Sequence, residues 1–395
     1  MKQGWTYKKL GEVCEVTDYV ANGSFATLRE NVTYYNEPNY ALLVRLADYS
    51  SNFDSSKFVY VDKHSYDFLS KSSLFGGEII MSNVGSIGKC FICPKLAEHM
   101  TIGPNSLLIR TPNNKFYLYY FKSKTFQKDL ISITSSATLS KFNKTQLKTL
   151  SLPSPPLPEQ QRIVSRLDSA FAHIDELKAN AEKQVNEARA LFQKALSKAM
   201  EPKEGWEEKK IGDIFQTYAG GTPLKSGKGY YEGGNIPWIR SGEVCKMYIK
   251  DCEMYITEEG MKNSSAKYYP INTVLVAMYG ATAAQVGILK FKATSNQAVC
   301  GILPNKKFVP EYIYYWFKSI QEKLASQAQG GAQPNLSQVK IKKVLISYPS
   351  LPEQQRIVER LDALSKNVKA LEENQRKVMA ECDALKQALL RKVFE

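Results

Sequence analysis

The eight residues Leu157–Val164, LPEQQRIV, return letter for letter at Leu351–Val358, 194 residues further on. An exact octapeptide repeat does not arise by chance in a chain of 395 residues. The first constraint on the fold is therefore that it be built twice. The repetition spreads well beyond the octapeptide. GWTYKKLGEV (Gly4–Val13) returns as GWEEKKIGDI (Gly205–Ile214), and YALLVRLADYS (Tyr40–Ser50) parallels IPWIRSGEVCK (Ile236–Lys246), which sets Arg45 against Arg240. IIMSNVGSIGKCFI parallels VLVAMYGATAAQVGIL, with Gly85 against Gly280, and the runs before each octapeptide set Asn143 and Gln146 against Asn335 and Gln338. A period of about half the chain is a tandem duplication of one large unit, because solenoid repeats recur every ~20–50 residues.

Each copy has two parts. Residues 1–156 and 201–350 are rich in Tyr, Phe, Val, Ile and Thr, with frequent Gly, Asn and Pro. Short runs such as KFVYV and VLVAMY read as strands, and YIYYWFKSIQEKLAS reads as a helix, which predicts a mixed α/β domain with long loops. Residues 157–200 and 351–395 differ: beyond Pro158 and Pro352 they contain no Gly or Pro until Pro202 and the last residue. Pro158 and Pro352 suit a first helical turn, and the acidic Glu159 and Glu353 suit a helix N-terminus. Apolar residues then alternate at steps of 4 and 3. The first series is Ile163, Leu167, Ala170, Ile174, Leu177, Ala181, Ala188, Leu191 and Ala195, broken by Gln184. The second is Ile357, Leu361, Leu364, Val368, Leu371, Val378, Cys382, Leu385 and Leu389, broken by Gln375. Such a stripe needs an apolar partner. Two helices of about 43 residues pairing antiparallel, in a rod ~65 Å long at 1.5 Å per residue, meet that need. The expected fold class is α+β: two tandem α/β domains, each followed by a long helix, with the helices forming an antiparallel coiled coil of approximate two-fold symmetry.

The charge is laid out with the same period. The chain carries a net +14. Residues 1–156 and 201–350 hold +6 each, while 157–200 and 351–395 hold +1 each. Two separate basic modules suit a polyanion touched twice, although a merely soluble basic protein would also show this balance. Seven cysteines, an odd number, point to reduced thiols in a cytoplasm. The longest mostly apolar run, Val274–Ala284, is too short to cross a bilayer, and MKQGWTYKKLGEV lacks the apolar core of a secretion signal.

Signatures of catalysis are scarce. GGTPLKSGKG (Gly220–Gly229) departs from a phosphate loop in its glycine spacing and has Gly229 where Ser or Thr is required. Cys90 and Cys93 form a lone C-x-x-C with no second pair to complete a zinc site, so no metal is expected. Of the three histidines, His64, His99 and His173, none recurs in the repeat. The chain reads as a recogniser with no catalytic residues.

The opening GW…GE/D motifs, the two LPEQQRIV segments, the long helix after each and GGTP…IPWIRSGEV together resemble the DNA specificity subunits of type I restriction–modification systems. The resemblance covers the full length. It implies that residues 1–156 and 201–350 are target-recognition domains, each reading one half of a bipartite, asymmetric double-stranded DNA site. It also implies that residues 157–200 and 351–395 are helical spacers that set the distance between half-sites and dock two methyltransferase subunits, with translocase–endonuclease subunits joining that core. S-adenosylmethionine, ATP and Mg²⁺ then belong to those partners, and none of them to this chain. A related two-component or fused methylating system, a self-contained nucleic-acid enzyme and a protein-binding scaffold are the alternatives.

Polar loop residues at equivalent places supply the candidate DNA contacts. In the first domain they are Arg45, Asn83, Ser86, Lys89, Ser135, Lys141, Asn143 and Lys144. In the second they are Thr222, Lys225, Lys228, Arg240, Tyr279, Gln285, Gln329, Gln333, Asn335 and Lys340. Arginine suits bidentate contact to guanine, and Asn or Gln suits adenine. Asn143 and Asn335 also have the chemistry of helix caps. The repeated Glu159–Arg162 and Glu353–Arg356 are expected to anchor the helix starts or to meet a methyltransferase subunit.

Overall fold

The computed structural model describes residues 4–135, 140–226, 229–327 and 336–395. The chain divides into two units, residues 1–181 with 376–395, and residues 182–375. Their construction is the same. In the first unit, strand Thr6–Lys9 pairs antiparallel with Ser151–Ser154, Thr6 opposite Ser154. In the second, Glu207–Lys210 pairs with Leu345–Tyr348 in the corresponding register, Glu207 opposite Tyr348. The start of each α/β domain is thus stitched to the segment that precedes LPEQQRIV. The Gly-Trp pair just before each opening strand has a matching role. Gly4 and Gly205 take φ of +84° and +85°, a region glycine enters without steric cost. The turn lays Trp5 edge-on to Phe116 and Trp206 edge-on to Tyr312.

A central antiparallel sheet lies inside each unit. Its order in the first is Glu15–Asp18, Ser106–Arg110, Ile79–Ser82, Cys90–Ile92. In the second it is Thr217–Ala219, Val299–Ile302, Val274–Ala277, Val286–Leu289, with Tyr248–Ile249 added in parallel at the edge. The aromatic-rich helices Asn114–Phe121 and Pro310–Ser319 pack on these sheets. The run read as one helix from Tyr312 to Ser326 is two, Pro310–Ser319 and Gln321–Gln327, separated at Ile320. The copies diverge in a second sheet. It has five strands in the first unit, where Ala41–Val44 runs parallel to Met100–Ile102, and three in the second, where Ile236–Ile239 runs parallel to Thr294–Ser295.

The two long helices span Leu157–Met200 and Leu351–Phe394. Their antiparallel sense is read within each unit. In the first, Lys178 pairs with Asp383 at 2.8 Å and Lys386 pairs with Asp175. In the second, Arg189 pairs with Glu372 at 2.7 Å, and Gln375 Nε2 donates to Gln184 Oε1 at 2.7 Å. The two polar interruptions of the stripes therefore meet each other. Gln184 is exposed and Gln375 half-buried, so this bond lies at the solvent edge of the seam and marks the register there, while the flanking ion pairs and apolar contacts hold it.

The helix ends do something the stripe alone did not reveal. Ile163, Leu167, Leu390 and Phe394 are part of the first unit's α/β core, together with Leu10, Ile79 and Phe116. Leu196, Met200, Ile357 and Leu361 join Ile211, Val274 and Tyr312 in the second. Each core thus takes in the start of one long helix and the end of the other.

The strict heptad is corrected at four positions. Leu177, Leu191 and Leu385 are 56%, 61% and 49% exposed and lie off the seam. The covered stripe of the first helix runs Ile163, Leu167, Ala170, Ile174, Lys178, Ala181, Val185, Ala188, Phe192, and that of the second passes Met379, Cys382 and Lys386. Val378 is likewise exposed. An α-helix drifts ~20° per heptad from a 3.5-residue repeat, so a long straight contact must take an extra residue at intervals. Lys178 and Lys386 occupy the seam by laying their aliphatic stems along it while their ammonium groups reach Asp383 and Asp175. Ile163, Leu167, Ile174, Ile357 and Leu361 are buried, and Leu364, Val368 and Leu371 half-buried.

Phe394 is 5% exposed and stacks edge-on with Trp5, Phe116 and Tyr120. Phe394→Ala should therefore cost the first unit about 3–5 kcal/mol. Hydrogen exchange would show lost protection at Phe116–Phe121 with Tyr312–Phe317 unchanged; equal loss at both would contradict the division of the cores.

Candidate nucleic-acid interface

In the first unit, loop 83–89 connects two central strands, Ile79–Ser82 and Cys90–Ile92. Gly85 and Gly88, at φ +76° and +74°, turn it. The loop is held against a second segment: Asn83 Nδ2 donates to the Phe142 carbonyl at 3.1 Å, the Phe142 N–H to the Asn83 carbonyl at 3.2 Å, and Val84 bridges Lys141. Ser135 closes onto Lys141 through its backbone N–H, at 3.1 Å, and its hydroxyl. Four predicted contacts, Asn83, Ser86, Ser135 and Lys141, therefore share one edge. Lys89 leaves the same loop, donates to Ser50 Oγ at 3.0 Å and lies over the Tyr49 ring.

The second unit repeats the arrangement with other residues. Its loop carries Tyr279, 37% exposed, and Gln285, half-buried, around Gly280 at φ +68°. The Leu336 N–H donates to the Met278 carbonyl at 2.8 Å, just as Phe142 does to Asn83. Lys228, Gln329, Gln333 and Asn335 lie outside the described residues.

The remaining candidates fall elsewhere. Asn143 is a helix cap: its side chain accepts from the Gln146 N–H at 2.9 Å and Gln146 Oε1 accepts from the Asn143 N–H at 3.0 Å, a reciprocal capping box. The cap of the corresponding helix, Gln338–Lys343, is Ser337, which pairs Asn143 with Ser337 and not with Asn335. Gln338 instead donates to the Thr217 carbonyl and hydroxyl. Lys144 is tied to Asp18 at 3.0 Å, and Lys340 is exposed. Thr222 bonds Gln297, and Lys225 is exposed on the same segment. That segment cannot be a free phosphate loop, because a Cβ on Gly220 or Gly221 would strike the backbone at Asn296 or Ala266, at 2.2 and 2.1 Å. Its glycines serve close packing.

Arg45 and Arg240 occupy matching positions, each just after a strand and each donating its N–H to the carboxylate three residues on, Asp48 at 2.7 Å and Glu243 at 2.8 Å. The Arg45 guanidinium also grips Asp48, at 2.6 Å, and the Lys57 carbonyl at 2.7 Å, while that of Arg240 reaches Glu253. Asp48 is buried, so Arg45 compensates an otherwise isolated charge.

Cys90 and Cys93 face different cores, and burial pushes both thiols up to about 12. They cannot converge on one ion. Among the described residues no group of three or more His, Cys, Asp or Glu side chains could hold a metal, and no helix is long and apolar enough to cross a membrane.

The expected anchoring of the helix starts falls to one residue of each repeated segment, and sequence reasoning missed one further recurrence, a tyrosine–aspartate pair. Gln160 and Gln354, the fourth residue of each octapeptide, are buried and donate to the Pro155 and Pro349 carbonyls at 2.9 and 3.0 Å, locking each helix start to the preceding turn. Glu159–Arg162 and Glu353–Arg356 are local ion pairs at the surface. Tyr119 and Tyr315 donate to Asp168 and Asp362, which stand 11 residues beyond each octapeptide's first leucine. In the first unit this tyrosine, the loop residues 85–89, Lys122 and Lys386 line a cleft of about 800 Å³. The signal was present in the repeated YLYYFKS/YIYYWFKS and RLD.

Arg45→Ala should lower stability by about 2 kcal/mol, the scale of a lost charged hydrogen-bond pair, seen as a lower denaturation midpoint. Lost DNA binding with an unchanged midpoint would instead make Arg45 a reader of bases.

The family described as the type I restriction modification DNA specificity domain matches residues 2–187 and again 203–380. The specificity subunit of the type I restriction enzyme EcoR124I/EcoR124II of Escherichia coli is 31% identical over 226 residues, 54% of this chain and 55% of that protein, so this chain spans about half the length of that relative. The putative MjaX specificity subunit of Methanocaldococcus jannaschii is 25% identical across 92% of this chain and 87% of its own length. Among solved structures, a chain from work on complex assembly and conformational transition of the type I R-M system has a TM-score of 0.77 at 18% identity, covering 100% of this chain and 98% of that one. The HsdS subunit from Thermoanaerobacter tengcongensis has a TM-score of 0.58 at 19% identity, covering 100% and 97%. With the family matched once in each half and the same loop-and-strand frame present in both units, this chain belongs to the type I restriction modification DNA specificity domain family and carries that domain twice.

Proposed function

We propose that this chain is the non-catalytic DNA-specificity subunit of a type I restriction–modification complex, with each unit reading one half of a bipartite, asymmetric double-stranded target. The observation that carries this reading is the repeated loop edge: one frame in both units, with different side chains on it. Asn83, Ser86 and Lys89 in the first correspond to a loop with Tyr279 and Gln285 in the second. The same frame with different side chains suits two different half-sites. The net +6 on each α/β segment supplies the phosphate attraction that positions a reader without specifying sequence.

Methyltransferase subunits are the proposed partners on the long helices, with translocase–endonuclease subunits beyond them; S-adenosylmethionine, ATP and Mg²⁺ serve those partners' chemistry. Leu191 and Leu385 support this. They stand at the same place in the repeat, 34 residues after each octapeptide's first leucine, and are 61% and 49% exposed. Large apolar side chains held out at matched positions suit two copies of one partner.

Affinity of the purified complex for target DNA should fall about a thousandfold between 50 and 200 mM salt if some six phosphates are contacted. A flat response favours the scaffold alternative, and cleavage or methylation by this chain alone favours a self-contained enzyme. Leu385→Asp should reduce the methyltransferase copies from two to one without changing helix content. Two copies retained would remove Leu385 from the docking surface.

A further inference from the structure

We infer that Tyr119 with Asp168, and Tyr315 with Asp362, are positioning pairs that hold each DNA-reading loop in place on its long helix, one pair for each half of the target. The inference rests on the two-half reading proposed above and adds residues that do not themselves face DNA.

The geometry recurs in both units. Tyr119, on Asn114–Phe121, donates its hydroxyl to Asp168 of the first long helix. Tyr315, on Pro310–Ser319, donates to Asp362 of the second at 2.5 Å. Both tyrosines are buried, at 7% and 2% exposure, and both aspartates are half-buried. Burial, and then the neighbouring carboxylate, push both phenols well above their ordinary range, so each stays protonated and donates at any working pH. A charged acceptor shortens and strengthens such a bond.

What each tyrosine steers is set by its helix. Asn114–Phe121 packs on strand Cys90–Ile92, which leads directly out of loop 83–89. Pro310–Ser319 packs on Val286–Leu289, which leads out of the loop carrying Tyr279 and Gln285. In the first unit Tyr119 and residues 85–89 line the same cleft. A path from carboxylate to phenol, helix, strand and loop is therefore present twice. Base-edge recognition depends on bidentate geometry, so a small rocking of the loop frame weakens discrimination more than it weakens phosphate contact.

The two pairs are not equally supported. Lys115 also binds Asp168, at 2.6 Å. The corresponding residue in the second unit is Glu311, which pairs with Lys290 at 3.1 Å instead. Tyr315→Phe should thus act more strongly than Tyr119→Phe.

The test uses the full chain in complex with its partner subunits in the host cell, with sequencing-based mapping of methylated sites. Tyr315→Phe should relax base preference in one half of the recognised motif by about tenfold and leave the other half unchanged. Tyr119→Phe should relax the opposite half by less. Asp362→Asn, which keeps an acceptor oxygen, should restore most of the preference that Asp362→Ala loses. Thermal unfolding of each purified variant, shifted by no more than a few degrees, separates positioning from folding. Blurring of both halves alike, an unchanged motif, or fewer methylated sites with the preference intact would overturn the inference alone. A wild-type complex with no two-part motif would overturn the reading beneath it, and the inference with it.

Discussion

Everything in this molecule depends on the burial of long-helix ends inside the α/β cores. Neither core is completed by its own segment of chain. The first takes Leu390 and Phe394 from the last turns of the second long helix, and the second takes Leu196 and Met200 from the last turns of the first. Burying a large apolar side chain contributes about 1.5–3 kcal/mol, so these few residues bind helix pairing and domain folding into one cooperative problem. The Gln184–Gln375 hydrogen bond, with the Arg189–Glu372 ion pair, marks the register in which the second unit's helices meet.

Much of this was legible in the sequence. The octapeptide, the Gly-Trp motifs and the polar breaks gave the duplication, the helices and their antiparallel sense, because each reflects a local rule or an exact recurrence. What did not survive was the strict heptad. Leu177, Leu191 and Leu385 look like seam residues on a 3.5-residue ruler, and only the true pitch of the helix turns them outward. Lysine in a seam, as at Lys178 and Lys386, defeats a pattern that counts apolar letters.

The candidate contacts were less legible for a different reason. Loop residues are polar whether they bind, cap or brace. Asn143 caps a helix, Arg45 offsets buried Asp48 and Lys144 neutralises Asp18, and each is indistinguishable in sequence from a base reader. Tertiary partners separate these roles. Asn83, Ser86, Ser135 and Lys141 converge because the Asn83–Phe142 backbone pairing draws two distant segments together. Tyr119 and Asp168 went unnoticed because a tyrosine in an aromatic helix reads as core until its hydroxyl finds a carboxylate.

The central claim is that a duplicated frame reads two half-sites independently, and exchanging one reader tests it most directly. Residues 1–156 would be replaced by the equivalent segment of another family member, and methylated positions mapped in the host genome before and after. The account predicts that one half of the motif changes completely while the other half stays as it was. A change in both halves would contradict it.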